Sequence, residues 1–131
     1  MRFLLYIWQL PQNIIGLIIK LINKNKKGYE EFFYNGVKVY YVKHIMNCGI
    51  SLGDYIFLDN DVYLNKKDIM HEAGHQKQSK ILGWFYLLII GLPSVIGNII
   101  DRIFDKGYEW YYSQPWEKWA DKLGGVDRNY I

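Results

Sequence analysis

Two long stretches of this chain carry no charged residue: FLLYIWQLPQNIIGLII at positions 3–19 and ILGWFYLLIIGLPSVIGNII at positions 81–100. In a chain of 131 residues, which amounts to one domain, such runs must be covered by protein core or by lipid. The first follows Arg2 and is interrupted by Gln9, Pro11, Gln12 and Asn13. It falls short of the roughly 20 apolar residues of a clean span, and no small-x-small cleavage site follows it. It reads as a kinked or interfacial membrane segment that stays on the mature protein, with a buried soluble helix pair as the alternative. The second run is long enough to cross a membrane, but Gly91, Pro93, Ser94 and Asn98 predict a break in its middle. A re-entrant hairpin and a central buried helix are the other readings. Trp84 and Tyr86 favour the membrane. Lys20, Lys24, Lys26 and Lys27 follow the first run closely, as a cytoplasmic membrane flank would or as a solvated loop would.

Residues 29–66 change character. EEFFYNGVKVYYVK places β-branched and aromatic residues on both sides of Asn35-Gly36, a strong hairpin signal. GISLGDYIFLD predicts one further strand, bent or bulged at Gly53. The expectation is an α+β single domain: an N-terminal apolar segment (1–28), a small antiparallel sheet (29–66), and helices from 67 to 131 with the apolar run 81–100 between them.

The chemistry concentrates in HEAGH, His71 to His75. Asn65 is a plausible N-cap, with Asp68 three residues on, so these residues fall on a helix that runs toward Leu82 and Gly83. Spacing of four puts both imidazoles on one face, one turn apart, where their nitrogens can converge on one ion. Neutral imidazole binds zinc at about 2.0–2.1 Å. Glu72 is rotated to the rim of that face, beside an ion but not on it, where a general base for an attacking water belongs. Gly74 keeps the face slim, so another backbone can approach. The chain has three histidines, and two of them form this pattern. A plain pair of surface histidines is the alternative.

A catalytic ion of this kind needs a third protein ligand and an open position. Asp101, Asp105, Glu109 and Glu117 are the candidates. Glu117 is the best, because a helix starting at Pro115 presents it rigidly. Asp121, four residues on, lies on the same face and can accept a hydrogen bond from the outer nitrogen of a ligating histidine. Gly124 is expected to end this helix in the left-handed conformation. A solvated charged face of Glu117, Lys118, Asp121 and Lys122 is the competing reading.

Together HEAGH and EKWADKLGG resemble the gluzincin metallopeptidases, and most closely the membrane-associated family of the CAAX prenyl proteases and the bacterial heat-shock membrane proteases. Their signature is HExxH followed by E-x-x-A-D. Here His71, Glu72 and His75 match the first block, and Glu117, Ala120 and Asp121 the second. The resemblance implies one zinc ion held by His71, His75 and Glu117, Glu72 as base, and Asp121 supporting a ligand histidine. It also implies a membrane location, with the basic flank on the cytoplasmic side of a bacterial inner membrane. The match covers two short blocks of a chain far shorter than typical members.

The expected function is therefore zinc-dependent hydrolysis of peptide bonds, with a peptide or protein substrate lying extended along a sheet edge such as the 50–58 strand. Tyr111, Tyr112 and His44 are candidate oxyanion donors. The alternatives are a structural or degenerate zinc site closed by His44 or Asp101, and a metal-free soluble domain. Nucleic acid is not an expected partner: the net charge is only +3, and there is no basic stripe with interleaved aromatics. A single cysteine, Cys48, excludes an internal disulfide.

Overall fold

A computed structural model of the chain describes residues 2–34, 36–43, 49–59 and 65–127. The first apolar run forms two helices, α1 (Arg2–Trp8) and α2 (Leu10–Asn23), which meet at Gln9. Pro11 lies in the first turn of α2, where its missing N–H costs nothing. Four strands follow: β1 (Glu30–Tyr34), β2 (Val37–Val42), β3 (Gly49–Leu52) and β4 (Tyr55–Asp59). Then come α3 (Lys66–Leu82), a short turn of 3-10 helix (Gly83–Phe85), a π turn (Leu87–Gly91), α4 (Leu92–Phe104), α5 (Tyr108–Ser113) and α6 (Pro115–Gly124).

The architecture is α+β, but the sheet is mixed rather than antiparallel, in the order β1-β2-β4-β3. β1 pairs antiparallel with β2, β2 parallel with β4, and β3 antiparallel with β4. The difference arises at Gly53. Instead of bending one strand, Gly53 takes a positive φ of 64° and, with Asp54, turns the chain through a two-residue hairpin that pairs Leu52 with Tyr55. The returning strand slots beside β2 and leaves β3 at the edge. On the first hairpin, Gly36 has φ 79°; Asn35 lies outside the described residues.

Both faces of the sheet are covered, which is why β4 is buried along its whole length rather than alternating. Val39, Tyr41, Ile56 and Leu58 pack under Ile69 of α3. Tyr40, Val42, Leu52, Tyr55 and Phe57 form the opposite layer, with Tyr6 and Ile19 of the N-terminal helices and Leu87 against it.

The second apolar run turns at Gly83, where α3 ends, but it does not break in its middle. Leu87–Phe104 is one helical stretch of 18 residues with mean hydropathy 1.7, long and apolar enough to cross a membrane. The π turn just before Pro93 lets the Leu92 N–H reach back five residues to the Leu87 carbonyl. That widened turn relieves the clash a proline ring makes with the preceding turn. Tyr86 and Ile90 face inward, while Leu88, Leu92, Ile96, Ile99, Ile103 and Phe104 are exposed. Much of the apolar surface of α1 and α2 is also exposed, including Phe3, Leu4, Ile18, Leu21 and Ile22.

α3 begins as its N-cap predicts, with the Asp68 N–H donating to Asn65 Oδ1 (3.2 Å). It packs against α6 with two glycines in the seam. A Cβ on Gly74 would collide with the Ala120 carbonyl oxygen, and one on Gly124 with the Met70 carbonyl oxygen. Gly124 thus serves close approach, and it is Gly125, with φ 74°, that ends α6 in the left-handed conformation. Alanine is a better helix former than glycine by about 1 kcal/mol. Even so, Gly74→Ala and Gly124→Ala are each expected to lower the unfolding free energy by about 1–3 kcal/mol through overpacking. Gly97→Ala, whose new methyl meets Tyr111 and Trp116 at ordinary contact distance, should show no such loss. Denaturant melts of the three variants test this, and equal melts for Gly74→Ala and Gly97→Ala would contradict it.

Candidate metal centre

α3 and α6 carry the centre between them. His71 and His75 stand one turn apart on α3, with ring centroids 4.7 Å apart and planes at 87°. Glu117, in the first turn of α6, is fully buried opposite them. Its Oε1 lies 3.0 Å from His71 Nε2 and 2.9 Å from His75 Nε2. Among the described residues, His71, His75 and Glu117 form a buried group that could hold a metal ion, with ligand atoms all within 4.8 Å of one another.

The hydrogen bonds around this group settle which ring nitrogens are free. His71 Nδ1 is 2.6 Å from Asp121 Oδ1, a carboxylate oxygen that can only accept, so Nδ1 carries the proton. For His75 the reasoning has one more step. Gln78 Nε2 donates to the Trp116 carbonyl at 2.9 Å. A carbonyl cannot donate, so the amide orientation is fixed and Gln78 turns Oε1 toward His75 Nδ1 at 2.6 Å. That nitrogen too must be the N–H. Both Nε2 atoms then face Glu117 Oε1, and three electron-pair donors converge on one point. Such a set calls for a positive charge, whether a proton or a metal ion, and the N,N,O donor chemistry fits a divalent ion with histidine ligands oriented from behind.

With no ion, protons take that part. Burial opposes the charged form of His71, but hydrogen bonds to Asp121 and Glu117, with the charge of Glu72, outweigh it and push the pKa up to about 9. Burial also disfavours the Glu117 carboxylate, yet hydrogen bonds from His71 and His75 win and hold it well below the usual carboxylate range. A metal ion entering the site must therefore displace a proton from His71.

Glu72 is buried beside this group without joining it. Desolvation raises its pKa, against the opposing pull of His75 and His71. With His75 it lines a cavity of about 300 Å³. One wall of the cavity is β3, the sheet edge, through Gly49, Ile50, Ser51 and Leu52; the other is the apolar helix, through Leu87, Gly91, Leu92, Ser94, Val95 and Asn98. Gly49 passes so close that a Cβ there would sit 3.5 Å from Glu72 Cγ. The Tyr86 hydroxyl, also on the cavity, donates to the Ser51 carbonyl at 3.0 Å and steadies the edge strand.

The sequence-derived residues divide clearly. His71, His75, Glu117, Glu72 and Asp121 are brought together. Tyr111 lines the cavity, and burial and the nearby Glu117 and Glu72 charges push its hydroxyl pKa up, which keeps it a donor. Tyr112 instead packs edge-on against the His71 ring, with centroids 4.9 Å apart. Asp101 is not a ligand: its Oδ1 accepts from the Gly107 N–H at 2.6 Å and closes the turn after α4. Asp105 and Glu109 are exposed. His44 and Cys48 lie outside the described residues.

Two residues escape the sequence reading. Gln78, three after His75 on the same helix, had a spacing signal. Ser94, whose hydroxyl donates to Glu117 Oε2 at 2.5 Å, had none, because it lies in an apolar run. No protein-family model matches the chain, and no curated protein or solved structure matches it either.

If Gln78 fixes the tautomer of His75, Gln78→Leu should weaken divalent-metal affinity about 10–100-fold, the usual cost of losing such a partner, while Gln78→Glu, which keeps the acceptor for His75 but loses the donation to Trp116, should weaken it less. Chelator competition measures both, and equal affinities for Gln78→Leu and wild type would rule the role out.

Proposed function

We propose that this chain is a zinc-dependent metallopeptidase of the gluzincin type, attached to a membrane. The observation that carries the reading is the convergence of His71 Nε2, His75 Nε2 and Glu117 Oε1 next to a buried carboxylate, Glu72, on a cavity walled by a sheet edge. Two neutral imidazoles and one carboxylate are the donor set of catalytic zinc, with one side left for water and substrate. The resemblance of HEAGH and E-x-x-A-D to the membrane-associated gluzincins points the same way.

Zinc, when bound, supplies the positive charge that activates water and polarises the carbonyl to be attacked. The chain does the rest. His71, His75 and Glu117 hold the ion, and Asp121 and Gln78 aim the two rings. Glu72 takes the proton of the attacking water and passes it to the leaving amine. Desolvation, by raising its pKa, suits it to both halves of that transfer. Tyr111, a protonated hydroxyl on the cavity, is the donor for the developing oxyanion. Among the described residues no strand pairs with the outer edge of β3, and its backbone groups suit an extended peptide, which is why a polypeptide is the substrate class.

Membrane attachment rests on the uncovered apolar faces of α1, α2 and the 87–104 helix, which together far exceed what scattered surface side chains need. Trp8 and Trp84 lie among them with their indole N–H groups bound to the carbonyls of Lys80 and Ile7, an arrangement suited to the lipid–water boundary.

Glu72→Gln should keep zinc at the wild-type stoichiometry and lose about 10²–10⁴-fold in peptidase rate, the usual worth of a general base. Metal analysis beside a fluorogenic-peptide assay decides it: undiminished cleavage, or wild-type protein without zinc, sinks the proposal. For attachment, the expressed chain should sediment with membranes at high salt and need detergent for release. A detergent-free soluble monomer would defeat that part alone.

A further inference from the structure

We infer that Ser94, in the apolar helix, is a positioning residue that makes Glu117 a one-oxygen metal ligand. The inference rests on the reading of His71, His75 and Glu117 as a metal centre. The two oxygens of Glu117 have separate tasks. Oε1 faces both Nε2 atoms, at 3.0 and 2.9 Å. Oε2 points the other way and accepts the Ser94 hydroxyl at 2.5 Å. A hydroxyl bound to an ionised carboxylate makes a short, strong hydrogen bond. With Oε2 engaged, the carboxylate cannot swing to present both oxygens to an ion. A carboxylate free to bind through both would take up a coordination position that water or substrate needs.

Local geometry explains how a serine in this run reaches the site. Tyr86 and Ile90 are buried, and so is Gly97, so Ser94 falls on the protein-facing side of the helix. It also lines the cavity beside Leu92 and Val95. It therefore stands between the third ligand and the space a substrate would fill, and it ties the apolar helix to α6. Deleting the hydroxyl would take the short hydrogen bond from a buried, charged oxygen and leave the Tyr111 hydroxyl as the remaining hydroxyl donor to Glu117, a weaker hold that lets the carboxylate turn toward the ion.

Threonine and valine at this position test the hydroxyl at nearly constant shape, with cobalt(II) in place of zinc as a visible probe. Four-coordinate cobalt absorbs strongly in the visible, and five-coordinate cobalt much less. The full chain in detergent, wild type and Ser94→Thr, should give the strong spectrum. Ser94→Val should give the weaker one and bind cobalt about tenfold less tightly. Ser94→Ala, which adds no bulk, should match valine and serves if the valine variant does not fold. Identical spectra and affinities for wild type, Ser94→Ala and Ser94→Val would overturn the inference while leaving the metal centre standing. Equal loss in Ser94→Thr and Ser94→Val would also overturn it, since the effect would then be one of space. Wild-type protein that binds no cobalt would overturn the metal reading itself, and this inference with it.

Discussion

The centre depends on how closely two backbones approach. Gly74 of α3 lies against the Ala120 carbonyl of α6, and Gly124 of α6 lies against the Met70 carbonyl of α3, each where a methyl group could not fit. On α3 the two contacts fall at Met70 and Gly74, each one residue before a histidine of the pair. At this separation the side chain of Glu117 spans the gap and meets both imidazoles with one oxygen, and Asp121, one turn on, meets the outer nitrogen of His71. A wider seam would leave Glu117 facing the histidines across a gap and would strand three buried polar groups. The glycines thus serve the chemistry through distance rather than through backbone freedom.

A second polar lock fixes the apolar elements to this pair. Gln12 Nε2 donates to the Ser79 hydroxyl and the Gly83 carbonyl, both at 2.8 Å, and Ser79 donates to Gln9 Oε1 at 2.6 Å. Asn13 reaches across to the hairpin turn, accepting from the Asp54 N–H at 2.7 Å. All three amides are fully buried. Inside an apolar run they interrupt hydrophobicity. In the fold they satisfy the backbone at the kink between α1 and α2, at the end of α3 and at the β3–β4 turn, where apolar side chains would have left buried carbonyls and N–H groups unpaired.

What could be read from the sequence follows from the range of each interaction. The i, i+4 histidines, the Asn65 cap, the slim face at Gly74 and the Glu117–Asp121 pair are local patterns on single helices, and each appears where its spacing puts it. The sheet departs from its expected form at one dipeptide. Gly53-Asp54 between two β-rich runs is also a hairpin signal, and taking it as a bulge merged two strands and hid the parallel β2–β4 pairing, a contact that no local pattern encodes. The break expected at Gly91 and Pro93 is absent because a π turn absorbs the proline. Ser94 was out of reach for a related reason: a hydroxyl in an apolar run acquires meaning only when another helix brings a carboxylate to it.

That last point bears on how membrane attachment and catalysis relate in the proposed enzyme. The 87–104 helix has two uses on opposite sides. Its outer face, with Leu88, Ile96, Ile99 and Ile103 exposed, has no partner among the described residues and suits lipid. Its inner face forms one wall of the cavity and holds Glu117 through Ser94. A peptidase whose anchor and site were separate elements could lose the anchor and keep its site. Here the helix suited to lipid also shapes the space beside Glu72 and steadies the third ligand. A displacement of this helix along its axis by even part of a turn would move Ser94 off Glu117 and open the cavity wall. On this reading the membrane acts as part of the scaffold that keeps the metal centre and its cleft in register.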